Sequence, residues 1–378
     1  MISRAAKRTA RLAAIVLVAL LVAACQTSGV QLPSTAQRSN DRLQALVAGA
    51  AKEGELTLSW SPGPLDSVDE LGQQLDLFNR RYGLNVSAHL ATTAPGTDPV
   101  ARLLEEQQAG RTASTDIILG TETQVAALAK AVALAPEPWT SWGSNIKDLK
   151  LVAPGGIAVQ VQTRMPGITY NSRKLTGADV PRTLADLLKP QYKGRIATTE
   201  DGATFERLAS ADLWGSAKTL DYVRKLAGQI GGTLRCGDES AIANGTYDVF
   251  VFDCGGARVS QLKAQGVLIG WTTPADAALV RHLYMGVPKN AAHPNLARLW
   301  IDFQLSREAQ DLMYQYDFAD ELRATGSRTF TEVDRATKAG AKFYELTVEL
   351  IQVEEATGAK PIAPQIQQIL RDAAAARR

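Results

Sequence analysis

Cysteine is scarce: the 378 residues hold only Cys25, Cys236 and Cys254. That excludes a disulfide-dense secreted scaffold, and without a Cys-x-x-Cys spacing it gives no support to metal or redox chemistry at these thiols. Histidine is equally sparse. His89, His282 and His293 stand too far apart to form a metal-ligand motif, and His293, just before Pro294 at a helix start, is expected to be structural. No Gly-x-Ser-x-Gly elbow, Walker loop or His-Glu-x-x-His run occurs, so the usual enzymatic signatures are missing. No charge dominates either: Lys+Arg number 41 and Asp+Glu 39, so the basic surplus that nucleic-acid binding calls for is absent. No internal repeat marks a solenoid. The longest apolar run covers residues 12–25, with 12–22 as its strongly apolar part, too short for a membrane-spanning helix.

That run has a different use. Arg4, Lys7, Arg8 and Arg11 precede it, which gives residues 1–24 the layout of a signal peptide. It closes on Leu21-Val22-Ala23-Ala24-Cys25, which resembles a bacterial lipobox, whose Cys becomes the lipidated first residue of the mature protein. An ordinary signal peptide cut near Ala24 is the competing reading. Residues 25–40 are polar and aperiodic, the composition of a flexible tether. Removing residues 1–24 takes away four basic residues and no acidic one, leaving 37 − 39 = −2. The expected location is periplasmic, held to the membrane by the lipid alone. With Cys25 so used, Cys236 and Cys254 are an even pair in an oxidising compartment. A disulfide between them is expected, and two free buried thiols are the alternative.

The remaining length, about 350 residues, exceeds what one core usually spans, so two lobes are expected. Residues 55–60 alternate as a strand after an amphipathic helix carrying Leu43, Leu46 and Val47. A helix over 66–82 ends at Gly83, a strand follows at 85–90, and Asp98 and Pro99 open a helix that Gly110 closes. Residues 115–119 read as a strand buried on both faces, and 121–132 as a helix. This alternation predicts an α/β lobe with parallel pairing. The pattern changes at Gly167, where 168–171 is extended and a lobe crossing is expected. A second α/β set follows: strands at 195–199, 247–253 and 267–271, with helices around 205–213, 220–227 and 257–264. Residues 279–287 are extended and would return to the first lobe, where helices at 294–305, 307–316 and a long 331–355 stretch would pack; 364–378 is helical by pattern. The expected division is 41–166 as the first part of lobe 1, 167–276 as lobe 2, and 277–378 as the return with the C-terminal helices.

Several segments in order are similar to a known family. They are Ala50-Ala51-Lys52-Glu53-Gly54-Glu55-Leu56, Gly167-Ile168-Thr169-Tyr170-Asn171, Thr183-Leu184-Ala185-Asp186-Leu187-Leu188 with Tyr192-Lys193-Gly194-Arg195-Ile196, and His293-Pro294-Asn295-Leu296-Ala297 with Ser306-Arg307-Glu308-Ala309-Gln310. In these the chain resembles solute-binding proteins of ABC importers, of the type II periplasmic class and the ferric-iron-binding branch of extracellular solute-binding family 1. The resemblance implies a two-lobed fold of hinge-linked, doubly wound lobes that close on a solute in the cleft. It also implies an ABC permease and ATPase as partners, a monomer, a small-molecule ligand, no cofactor and no catalysis. Ferric binders of that branch supply an adjacent Tyr-Tyr pair from lobe 2. This chain has none, and Tyr314 with Tyr316, two apart on a helix, do not share a face.

In open α/β sheets ligands sit beyond the carboxyl ends of the strands, at helix N-termini. That selects Ser59, Trp60, Ser61, Thr92, Thr93, Gly120, Thr121 and Glu122 in lobe 1, and Thr198, Thr199, Asp201, Gly202, Asp253 and Gly255 in lobe 2. Hydroxyls and Gly-rich turns there suit a phosphonate, phosphate ester or carboxylate, although each such residue also makes an ordinary helix cap. Ferric iron or a polyamine is the alternative solute, and a secreted enzyme on the same scaffold or a signalling receptor the alternative role.

Overall fold

The computed structural model describes residues 35–376 apart from 62, 94–97, 201, 203, 236, 254 and 359–360. Cys25, Cys236, Cys254 and Asp201 therefore lie outside the described residues, as does the signal segment. Among the described residues no helix is long and apolar enough to cross a membrane.

The first lobe begins with the helix Thr35–Glu53, which buries Leu46 and Ala50 and turns at Gly54 into strand β1 (Glu55–Trp60). Strand β2 (Ser87–Thr92) pairs with β1 in parallel, Leu58 opposite Leu90. The helix between them, Val68–Tyr82, starts where Ser67 Oγ accepts from Glu70 N and stops at Gly83, whose φ of 64° suits glycine. Asp98 accepts from Val100 N ahead of the helix Pro99–Gln108. Strand β3 (Ile118–Thr121) starts later than its sequence suggests. In its lead-in only Ile117 bridges β1, to Leu58. Beside it, Asp116 Oδ2 accepts from Thr57 N at 2.7 Å and Thr115 Oγ1 from Ser59 N at 3.1 Å, so side chains replace ladder rungs.

Strand β4 (Val159–Arg164), which the sequence pattern missed, leads across to the second lobe. That lobe holds β5 (Ile168–Asn171), β6 (Ile196–Thr198), β7 (Ile230–Thr233), β8 (Val249–Val251) and β9 (Ile269–Thr272) in the order β7-β6-β8-β5-β9. Parallel pairs flank β6 and antiparallel pairs flank β5. Strand β10 (Ala278–Gly286) returns antiparallel to both β4 and β3, and β11 (Phe343–Glu345) joins its first residues in parallel. One core gathers Leu58, Phe78, Trp142, Trp300 and Phe303; another gathers Ile196, Phe205, Val223 and Val249. Strand β10 reaches both, through Met285 and Leu279 respectively.

Two expectations need correction. Residues 205–213 form only the short 3-10 turn Phe205–Ala209, because Ser210 leaves helical space at ψ 138°. The 331–355 stretch breaks into helix Arg328–Lys338, strand β11 and helix Val348–Ala356, with Gly340 at φ 100° ending the first. The last helix, Ala363–Ala375, packs on the second lobe against Gly215–Ala227, burying Ile366 and Leu370 there.

Candidate functional site

Two arginines stand where the lobes join. Arg164 ends β4, with Nε on Gln162 Oε1 at 2.7 Å and Nη2 at 3.7 Å from Asp317. Arg281 faces it in register on β10. Neither was among the sequence candidates. The signal available was a basic residue inside an apolar run, Leu279-Val280-Arg281-His282-Leu283.

Beside Arg164 the lobes enclose a cavity of about 220 Å³. Gly255, Gly256 and Lys263 line it from the second lobe, Tyr314, Phe318 and Arg335 from the first. Gly255, at φ 106°, precedes the helix Gly256–Ala264 and leaves that helix start bare of any Cβ. Of the sequence candidates, Gly255 lies on this cavity. Asp253 lies beneath it, buried, with its oxygens accepting from Gly167 N and Gly255 N at 3.0 Å and from Thr169 Oγ1. Burial pushes its carboxyl up and these donors pull it back. Its oxygens thus anchor the crossing to the loop after β8.

Ser59, Thr93 and Gly120 do come together, but around a narrow pocket of about 20 Å³ inside the first lobe, room for a water and too small for a solute. Thr93 is buried with an unpartnered Oγ1. Ser61 is exposed nearby, and Thr92 ends β2 opposite Trp60. Trp60 itself faces the core, 3 % exposed, so it does not wall a cleft. Thr121 is a helix cap: it and Gln124 form a reciprocal capping box for Glu122–Lys130. Glu122 is buried, its Oε1 ion-paired with Arg281 at 2.8 Å and its Oε2 without a partner. In the second lobe Thr198 and Thr199 are buried at the end of β6. Gly202, at φ 63°, lies under Leu370 and Ile366 of the last helix. His293 is structural, its Nδ1 2.8 Å from Asp116. Among the described residues no group of three or more His, Cys, Asp or Glu is arranged to hold a metal ion.

The model of the bacterial extracellular solute-binding protein family matches residues 116–344, more than half of the chain. The chain belongs to this family. A curated relative, the Fe(3+)-binding periplasmic protein of Serratia marcescens, is 36 % identical over 70 residues, 18 % of this chain, and the match spans about a fifth (21 %) of that relative. Two solved structures share the fold of this solute-binding protein. The substrate-binding protein of an ABC transporter from Agrobacterium tumefaciens has a TM-score of 0.66 at 15 % identity, over 85 % of this chain and 97 % of its own. Iron-bound HitA from Pseudomonas aeruginosa has 0.63 at 19 %, over 84 % and 99 %. These likenesses show a two-lobed fold, whose lobes are joined in this chain by β4 and β10.

Proposed function

We propose that this chain captures a small anion, such as a phosphonate, phosphate ester or carboxylate, between its lobes and delivers it to the permease and ATPase of an ABC importer. The observation that carries the reading is the junction cavity. It draws lining from both lobes, as a clamshell site must, and it sets a helix start bare of Cβ atoms beside Lys263, with Arg164 and Arg335 also on the lining, the first 3.7 Å from Asp317 and the second paired with Glu332 at 2.6 Å. Aromatic rings of Trp271, Tyr314 and Phe318 supply the apolar wall. Ferric iron is the second reading, favoured by the Serratia match. A hard cation calls for anionic oxygen ligands, and the chain has no adjacent Tyr-Tyr pair to supply phenolates.

A thermal-shift screen of the mature chain tests this. A phosphonate, phosphate ester or carboxylate at 100 times its dissociation constant adds about 2.7 kcal/mol to native stability, and scattering is expected to show a smaller radius of gyration. Stabilisation by Fe(III) alone, with a phenolate charge-transfer band, would replace the anion by iron.

The same reading includes the Cys25 anchor and a Cys236–Cys254 disulfide. Cys25→Ser is expected to abolish lipid labelling and membrane attachment, and unchanged fractionation would count against the lipobox. Two free thiols, besides any at Cys25, in the unfolded, unreduced protein would remove the disulfide.

A further inference from the structure

The lobes also touch away from the cavity. Glu122 opens the helix Glu122–Lys130 of the first lobe and is completely buried. Its Oε1 accepts from Arg281 Nη2 at 2.8 Å and Nε at 3.1 Å, and lies 3.9 Å from Arg207 Nε. Arg207 comes from the turn Phe205–Ala209 of the second lobe, and its Nη2 donates to Thr123 Oγ1. Its Nε is also 3.3 Å from its neighbour Glu206, so its charge is not left bare when Glu122 is out of reach. Arg281 donates in addition to Thr204 Oγ1 at 3.4 Å. One carboxylate thus gathers guanidiniums from the crossing strand and from the opposite lobe.

These two contacts differ in what they need. Arg281 sits one residue from His282, itself hydrogen-bonded to the first lobe, so it stays with Glu122 whatever the second lobe does. Arg207 reaches Glu122 and Thr123 only when the lobes are together. A contact made in one arrangement and absent in the other biases the equilibrium toward the first. Water and salt screen its Glu122 half little, since that carboxylate is buried, whereas Thr123 is exposed.

We propose that the contact of Arg207 with Glu122 and Thr123 is a clasp that favours the closed arrangement and so sets solute affinity without touching solute. Its effect on affinity rests on the solute-capture reading, whereas the clasp itself is measurable without solute. Arg207→Gln is the first variant; it leaves Glu122 paired with Arg281, so no buried charge is stranded. Thr123→Val is the second, removing the acceptor and no charge. Arg102→Gln is the control, because Arg102 pairs with Glu106 on its own helix.

Small-angle scattering and hydrogen exchange are measured on the solute-free mature chain. Arg207→Gln and Thr123→Val are expected to raise the radius of gyration and speed exchange at residues 122–125, while Arg102→Gln matches wild type. A folded Arg207→Gln protein with wild-type radius and exchange overturns the clasp. If that variant does not fold, a wild-type radius for Thr123→Val overturns it instead. If inorganic phosphate stabilises the wild type, Arg207→Gln is expected to weaken it severalfold, through faster release. Failure of phosphate to bind the wild type would count against the anion reading and leave the scattering result to decide the clasp.

Discussion

Glu70 is an acid buried where its sequence position suggests exposure. In the first turn of Val68–Tyr82 a carboxylate ordinarily faces solvent and favours the helix dipole. Here it is 2 % exposed, and Gln74 donates to it. Burial, aided by the charges of Asp317 and Asp66, pushes its pKa up to about 9, so the folded protein holds a proton that the unfolded chain releases. Stability from this group therefore falls as pH rises from its ordinary range toward 9. Glu70→Gln is expected to match wild type near pH 5 and to exceed it by about 3 kcal/mol at pH 7–8 in urea unfolding. An equal difference at both pH values would show that ionisation is not the cause. His282 loses stability in an overlapping window for another reason. Burial alone would push its pKa down, but Glu321 and Glu345 overcome this and carry it up to about 9. A raised base stabilises fully below about 6.5 and loses that contribution as pH climbs through 9. His282→Gln is expected to flatten the loss between pH 7 and 9, and a slope unchanged from wild type would rule the histidine out. Both burials arise from segments far apart in sequence, which is why neither was legible in it.

At the scale of elements, local chemistry was readable and packing was not. Asp98 with Pro99, and Gly83, declare their helix ends because a cap is settled within a few residues. Thr121 is the instructive case: the residue was read as a possible ligand donor, and its capping box gives it a sufficient local duty. Thr121→Ala is expected to cost about 1 kcal/mol in unfolding free energy. Gly202 was read the same way, from a Gly-rich turn, and its need for glycine proves to be tertiary. A Cβ there would stand 2.6 Å from Leu370 and 2.8 Å from Ile366, on a backbone at φ 63°. Gly202→Ala is expected to lose about 1–3 kcal/mol and to expose the Ala363–Ala375 helix to protease. Wild-type stability and protection would show that the helix is not seated on this turn.

The whole molecule is held together by a strand that serves both cores. Strand β10 buries Leu279 in one and Met285 in the other, and β4 is hydrogen-bonded along it. Differential scanning calorimetry is accordingly expected to give one transition; two resolved transitions would mean that the lobes unfold independently. The sequence by itself determined the α/β alternation, most helix and strand positions and the family, because periodicity, caps and ordered motifs are short-range properties of the chain. Only the tertiary structure decided where Trp60 points, that Glu122 pairs with Arg281, that the last helix crosses to the second lobe, and that Arg164 and Arg207 stand at the junction. Each of those depends on which distant segment a side chain meets, and the free energy of that meeting is written at neither position alone.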